Sequence, residues 1–314
     1  MKKVLLSLAV LVILTLCGMF WLNKISFSAP NDAIYINVSN DSILANMKKL
    51  KSALELSGKK AILSNSKKHK SGHFNLYTAT DIATLPKVSD LEAINFLWID
   101  KLKAGADPEV LRPYDVIIVK TMPAFHHLKA INVRTAFIPD AVDIINNAYL
   151  PTPNGKAMFW GDGNEFSLTL LMSGAENISL DVFGKNFEGK WAQNEIKAQA
   201  PIAADFRSYS LVLVDQSEED IRDEIVNERI LEVIANGGLP YIRYNPAIEK
   251  LFGDAVPMYY NSNEFSQKLN KLLSTPAELQ QRKDAIRNIA IGWSSKFQAK
   301  KVIELFEIME KKRI

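Results

Sequence analysis

The feature that most restricts the fold is a succession of short, largely apolar segments separated by helical or turn-rich stretches. Ile34 to Val38, Ala61 to Leu63, Asn75 to Thr78, Ile94 to Ile99, Val116 to Val119 and Thr135 to Ile138 form one set. Lys156 to Trp160, Ile178 to Phe183, Leu211 to Val214, Leu239 to Ile242 and Val256 to Tyr259 form a second. Continuous apolar runs of this length are strands buried on both faces, and strands alternating with helices make parallel sheets. Helices are predicted at Ser42 to Leu56 (closed by Gly58), Glu218 to Asn236, Glu264 to Leu273, Ala277 to Ala290 and Ser294 to Lys312. Ser217 and Asp220 are spaced as a capping box for the second of these. The two sets meet at Asn147 to Asn154, where Pro151, Pro153 and then Gly155 mark a linker. At 314 residues the chain has room for two domains.

Composition narrows the partners. A net charge of +3 and a pI near 8.7 fall short of the basic balance of a nucleic-acid protein. The one cysteine, Cys17, lies in an apolar stretch from Val4 to Leu22, so the folded part has no disulfide and no thiolate metal site. That stretch follows Met1-Lys2-Lys3, ends at Trp21-Leu22-Asn23-Lys24, and is long enough to span a bilayer. It reads as a single-pass anchor over residues 1–24 with a cytoplasmic N-terminus. Ser26-Phe27-Ser28 before Ala29 leaves a cleaved signal as the alternative. Lysines at 48, 49 and 51 work against that orientation, and the side on which the globular part lies stays open. Lys59, Lys60, Lys67, Lys68 and Lys70 suit either an anionic bilayer surface or a solvated loop.

No phosphate loop, HExxH or GxSxG elbow is present, and His69, His73, His126 and His127 have no metal-ligand spacing. His126 and His127 follow the strand at Val116 to Val119. In an open α/β sheet ligands bind beyond the carboxyl ends of strands, so this pair is either two solvated loop residues or a proton-accepting base or sugar-hydroxyl partner in the cleft between domains. Glu224, Glu228 and Glu232 recur every four residues, sharing one face of the predicted helix as a solvated stripe or as partners for sugar hydroxyls. Glu232 precedes Gly237-Gly238, which would permit close backbone approach to a ligand. Arg229 has the planar fork that matches phosphate oxygens. Gly161-Asp162-Gly163 follows a strand and is a turn or a phosphate approach, and Lys185 is the nearest second basic residue.

The stretch Asn227-Glu228-Arg229-Ile230-Leu231-Glu232-Val233-Ile234-Ala235-Asn236-Gly237-Gly238 resembles the R-x-F-E-x-x-A-x-G-G element of the CgeB-type (spore-maturation) glycosyltransferase-like proteins of the GT-B group. Leu272-Leu273-Ser274-Thr275-Pro276-Ala277-Glu278 with Arg282 is similar to their LL-x-x-P-E-x-R helix pair. Fainter likenesses are Phe137 to Asp143, Trp160-Gly161-Asp162 and Val182-Phe183-Gly184, so the resemblance covers about 134–290. It implies two Rossmann-like domains: an acceptor-side domain at 30–150, a donor domain at 151–292 and a helix at 293–314 returning to the first. It also implies that Glu232 grips the donor ribose, that Glu224 stands where the first glutamate of the paired pattern falls, and that Arg229 sits in the donor site.

The expected activity is therefore sugar transfer from a nucleotide-sugar donor to a glycan, lipid or protein acceptor, without a cofactor or metal ion. His126 or His127 would face the reaction, and Glu232, Arg229, Glu224, Gly237, Gly238, Gly161, Asp162 and Lys185 would line the donor side. A non-catalytic, membrane-tethered glycan-binding or scaffold protein retaining the fold is the alternative, because bacterial nucleotide sugars are cytoplasmic whereas the anchor suggests translocation.

Overall fold

The computed structural model describes residues 33–313 apart from positions 66–70, 89, 103–106, 146–153, 166, 176, 177, 179, 188–194 and 198. The anchor read at 4–22 and most of the linker fall outside the described residues. Among the described residues no helix is long and apolar enough to cross a membrane.

The first unit runs β1 (Ile34–Asn37), α1 (Asp41–Leu56), β2 (Ala61–Ser64), β3 (Phe74–Ala79), β4 (Ile94–Ile99), α2 (Pro108–Leu111), β5 (Val116–Val119), α3 (Met122–Ala130) and β6 (Thr135–Phe137). Its strands form one all-parallel sheet in the order β2-β1-β3-β4-β5-β6. Every residue of β3, β4 and β5 is buried, as apolar runs covered on both faces must be.

The second unit runs β7 (Ala157–Asp162), α4 (Leu168–Ala175), β8 (Asp181–Lys185), β9 (Glu195–Lys197), α5 (Ala203–Ser208) and β10 (Leu211–Leu213). It continues through α6 (Glu218–Arg222), α7 (Glu228–Ala235), β11 (Pro240–Arg243), α8 (Pro246–Phe252), β12 (Met258–Tyr259), α9 (Ser262–Leu273) and α10 (Pro276–Ile291). The sheet is again parallel, ordered β12-β11-β10-β7-β8-β9. Numbered within the unit this is the dinucleotide-fold order 3-2-1-4-5-6, whose direction reverses between β7 and β10.

The last helix, α11 (Ser295–Arg313), leaves the second unit and packs on the first. Phe306 stacks on Phe96 with ring centroids 3.9 Å apart and meets Phe74 edge-on. The chain thus crosses between units twice, and the crossings are tied together. Val142 N donates to Trp293 O at 2.9 Å, Ser295 N to Asp143 Oδ1 at 2.8 Å, and Gln298 Nε2 to Pro139 O at 2.6 Å.

Three readings need correction. The predicted helix over 218–236 is two helices: α6 stops at Arg222, and Glu224 takes a left-handed φ of 52°. Asn227 then caps α7 by accepting from Arg229 N at 2.9 Å. The four-residue charge spacing suggested continuity, but Asn245 Nδ2 donates to Ile225 O at 3.0 Å, a tertiary bond that holds the intervening loop open. His126 and His127 belong to helix α3, not a loop; Thr121 caps it and Pro123 occupies the first turn, where a proline costs nothing. Residues 168–175 are helical where no helix was expected.

Lys283 of α10 is 6% exposed and donates to Tyr209 O at 3.1 Å, and among the described residues no carboxylate pairs with it. Burial lowers its pKa from 10.5 to about 8. Because the folded value lies below the unfolded one, the unfolded chain binds the extra proton between pH 8 and 10.5, and stability rises with pH across that window by roughly 3 kcal/mol. Denaturant titrations of the parent and Lys283→Met at pH 7.5 and 10.5 are expected to show this rise in the parent alone. A parallel response in both proteins would exclude the assignment.

Candidate functional site

The two sheets present their carboxyl ends to a common cleft of about 810 Å³. That volume suits a small-molecule site, and carboxyl ends are where open α/β sheets bind ligands. Asp100, Lys120 and Asp140, which follow β4, β5 and β6, line it from the first unit. Glu165 beyond β7, Asp215 beyond β10, Arg243 at the end of β11 and Tyr259 at the end of β12 line it from the second. Asn227, Glu228 and Arg229, the cap and first turn of α7, complete that wall.

Lys120 is held between Asp100 Oδ1 at 2.8 Å and Asp140 Oδ2 at 2.9 Å. Burial alone would lower its pKa, but the Asp140 and Asp100 carboxylates outweigh that and hold the ammonium charged. On the opposite wall Arg229 makes a two-pronged pair with Glu165, at 2.7 and 3.3 Å, and Arg243 pairs with Glu218. Seven carboxyls (Asp100, Asp140, Glu165, Asp215, Glu218, Asp220 and Glu228) and four cations (Lys101, Lys120, Arg229 and Arg243) line the cleft. Three of the four cations already have acidic partners.

Asp215 stands at the reversal of strand order. Its Oδ1 accepts from Thr169 N at 3.2 Å and from the Thr169 hydroxyl, and the Ser167 hydroxyl also bonds the carboxyl. It therefore caps α4 from across the sheet. Its Oδ2 is buried and without a hydrogen-bond partner among the described residues. Burial raises its pKa, more than these donors lower it. Tyr259, whose hydroxyl lies 3.4 Å from Thr169 Oγ1, is likewise pushed up by burial, to about 12.

The residues singled out from sequence separate in space. Arg229 lies on the cleft wall, where Glu228 joins it; Glu232, one helical turn farther along α7, is exposed and is not part of the lining. Glu224 pairs with Lys250 at 2.8 Å, outside the cleft. His126 is exposed, whereas His127 lines an adjoining pocket of about 360 Å³ with Asp100, Lys101, Thr121 and Arg222. His127 Nε2 is buried there without a partner among the described residues.

Gly237 and Gly238 lie at the far end of α7 from the cleft, roughly 12 Å away for eight residues. Gly237, with φ of 80°, ends the helix, and Gly238 N donates to Val233 O at 2.9 Å. Gly161 and Asp162 end β7 in register with Gly184 and Lys185 of β8. Asp162 accepts from Asn186 Nδ2 at 2.8 Å and Asn164 N at 2.9 Å, which hold its pKa below the usual range. These residues fix the turn that carries Glu165; they do not line the cleft, and Lys185 is exposed.

Sequence reading missed Asp100, Lys120, Asp140, Glu165, Asp215 and Arg243. Each stands at a strand's carboxyl end or within three residues beyond it, and that position was the available signal.

A family model described as glycosyl transferase-like matches residues 166–296. No curated protein matches the chain in sequence. Among solved structures, a glycosyltransferase from Rickettsia africae superposes with a TM-score of 0.61 at 8% identity, covering 90% of this chain and 99% of that one. A mutant of S. aureus TarM, in complex with fondaparinux, alpha-GlcNAc-glycerol and UDP, gives 0.53 at 12% identity. The match covers 74% of this chain and 55% of TarM, so the chain spans about half the length of that protein. An α,α-trehalose-phosphate synthase (UDP-forming) from Burkholderia vietnamiensis gives 0.50 at 12% identity, covering 85% and 78%. At these identities the likeness is one of fold: the chain has the GT-B-like arrangement of two parallel-sheet domains about a cleft.

Proposed function

We propose that the chain is a glycosyltransferase of the CgeB-like kind, anchored through residues 4–22, that moves a sugar from a nucleotide donor to a hydroxyl of a glycan, lipid or protein. The observation that carries this reading is the cleft at the switch point of the second sheet, where Arg229, Arg243 and the amino end of α7 share one wall. A helix N-terminus and two guanidinium forks suit a diphosphate. Their present partners, Glu165 and Glu218, are exposed carboxylates in pairs worth about 0–1 kcal/mol, which a phosphate would readily replace.

In the transfer, the bond from the anomeric carbon to the diphosphate oxygen breaks and one from that carbon to the acceptor oxygen forms. Asp100 takes the acceptor proton. It lies where the cleft meets the pocket lined by His127, the space this reading gives to the acceptor. His127 Nε2 orients the acceptor hydroxyl. The diphosphate leaves toward Arg229 and Arg243.

Calorimetric titration of the detergent-solubilised full chain with UDP, GDP, CMP and their sugar conjugates tests the donor site. One nucleotide class is expected to bind, and Arg229→Ala to weaken it about 10–100-fold, the worth of a charged hydrogen bond. Glu232→Ala is expected to weaken it less, since that side chain is off the wall; an equal loss would move Glu232 into the site. Absence of binding across the panel would overturn the proposal in favour of a tethered, non-catalytic relative. Protease accessibility in sealed vesicles reports on which side the globular part lies.

A further inference from the structure

The basic charge of the chain is gathered on one layer of the first unit. α1 and α11 cover the same face of the first sheet, where Met47, Leu50, Val302 and Phe306 join the core of Ile36 and Phe96. With Lys59 and Lys60 of the turn after α1, the two helices hold eleven basic and five acidic side chains, a net of +6 against +3 for the whole chain. The rest of the chain is therefore net acidic. Glu55 pairs with Lys51, and Glu304 with Lys300 and Lys301. Lys48, Lys49, Lys60 and Lys296 are exposed and have no acidic partner among the described residues.

Apolar side chains stand among these lysines. Leu56, at the end of α1, is 90% exposed, and Ile291, just before α11, is 58% exposed. A shallow groove of about 380 Å³ connects the two helices, lined by Ser57, Ile291, Phe297 and Ile303 together with Lys296 and Lys300. Lysines set around exposed apolar groups suit an anionic bilayer, which attracts each charge and takes apolar side chains into the headgroup boundary.

The tether enters on the same side. Ile34 N donates to Lys60 O at 2.9 Å, so the chain comes into β1 beside the turn that follows Leu56. Residues 23–32 separate Ala33 from the anchor read at 4–22, and ten residues span at most about 35 Å. Confinement to that distance gives a high effective concentration, so a modest attraction is enough. The cleft opens at the other, carboxyl ends of the strands, and no residue of the basic layer lines it, so docking leaves it free.

We propose that the outer side of α1, the turn at 57–60 and α11 rest on an anionic bilayer surface and hold the tethered globular part in one orientation. This rests on the anchor in the reading above and not on its donor site.

The test uses the full chain in nanodiscs, carrying Cys17→Ser and a fluorophore on Ser57→Cys or, as control, on Gln281→Cys of the second unit, both exposed positions. In discs of mixed phosphatidylcholine and phosphatidylglycerol, nitroxide-labelled headgroups are expected to quench the probe at 57 about threefold more than that at 281, and high salt to remove the difference. Discs of phosphatidylcholine alone should show no difference. Lys59→Gln combined with Lys60→Gln is expected to shift the face off the surface about 25-fold, at about fivefold for each basic residue, and quenching at 57 should fall to that at 281. Equal quenching at the two positions in the parent, or quenching at 57 that ignores lipid charge and salt, would overturn the inference. Should the lysine variant fail to fold, the lipid and salt dependence of the parent decides alone. Carbonate washing that strips the parent from vesicles would instead bring down the anchor, and this inference with it, leaving the donor-site reading in place.

Discussion

Asp100→Asn is expected to lower turnover about 10²–10⁴-fold, the usual contribution of a general base, while donor affinity stays within about twofold. The substitution is close to isosteric, and Lys120 retains Asp140 at 2.9 Å, so the charged group in the cleft floor is not left alone. Asp100 follows β4, and its backbone is fixed by a bond from its N to Ala79 O at 3.0 Å. It lines the main cleft and both pockets that adjoin it from the first unit, which places it between the donor wall and any acceptor entering there. The split between kcat and affinity is diagnostic. A residue that only shapes the cleft would alter binding as well. Turnover within about fivefold of the parent would remove Asp100 from the chemistry and leave His127, with its unpartnered Nε2 in the same pocket, as the remaining base.

The strands were legible because a parallel sheet buries both faces, and runs such as Ile94 to Ile99 or Val116 to Val119 have no other use. The helices failed where local signals were ambiguous. Leu168 to Ala175 is apolar almost throughout and has no clear helical period, and its cap comes from Asp215, 46 residues away. Met122 to Ala130 carries a proline in its first turn that reads equally as a turn, which left His126 and His127 in a loop and concealed that His127 lines a pocket while His126 is exposed.

The Glu224–Glu228–Glu232 ladder shows the opposite error. Spacing of four is necessary for a shared face but does not establish one helix, and the break at Glu224 depends on Lys250 and Asn245 from elsewhere in the chain. The cleft carboxylates were least visible. Lys120 draws Asp100 and Asp140 together from adjacent strands, and no linear motif records that pairing. Gly237-Gly238 likewise looked like ligand-approach glycines because a helix end and a phosphate turn use the same residue for the same left-handed backbone.

Gly184→Ala is expected to cost the second unit about 3 kcal/mol or more. Gly184 sits inside β8 with φ of 137°, a backbone region that side chains rarely enter. A Cβ there would stand 2.0 Å from Gly161 O and 2.9 Å from the Phe187 ring. The ring could turn, but the carbonyl belongs to the β7 residue in register with Gly184, so relief requires the two strands to part. Gly163 is caught in the same way, its Cβ position lying 2.0 Å from Asn186 O. Thus the strand ends that set the turn toward Glu165, and through it Arg229, approach one another as closely as glycines permit.

Gly155→Ala supplies the contrast: φ is 77°, yet nothing lies within 4 Å of its Cβ position, so only the left-handed backbone is penalised, by roughly 1 kcal/mol. Denaturant midpoints of the two variants, followed by tryptophan fluorescence, separate steric exclusion from conformational preference. If Gly184→Ala lost no more than Gly155→Ala, the β7–β8 contact would be looser than described. The turn carrying Glu165 would then not be rigid enough to hold Arg229 ready for a diphosphate.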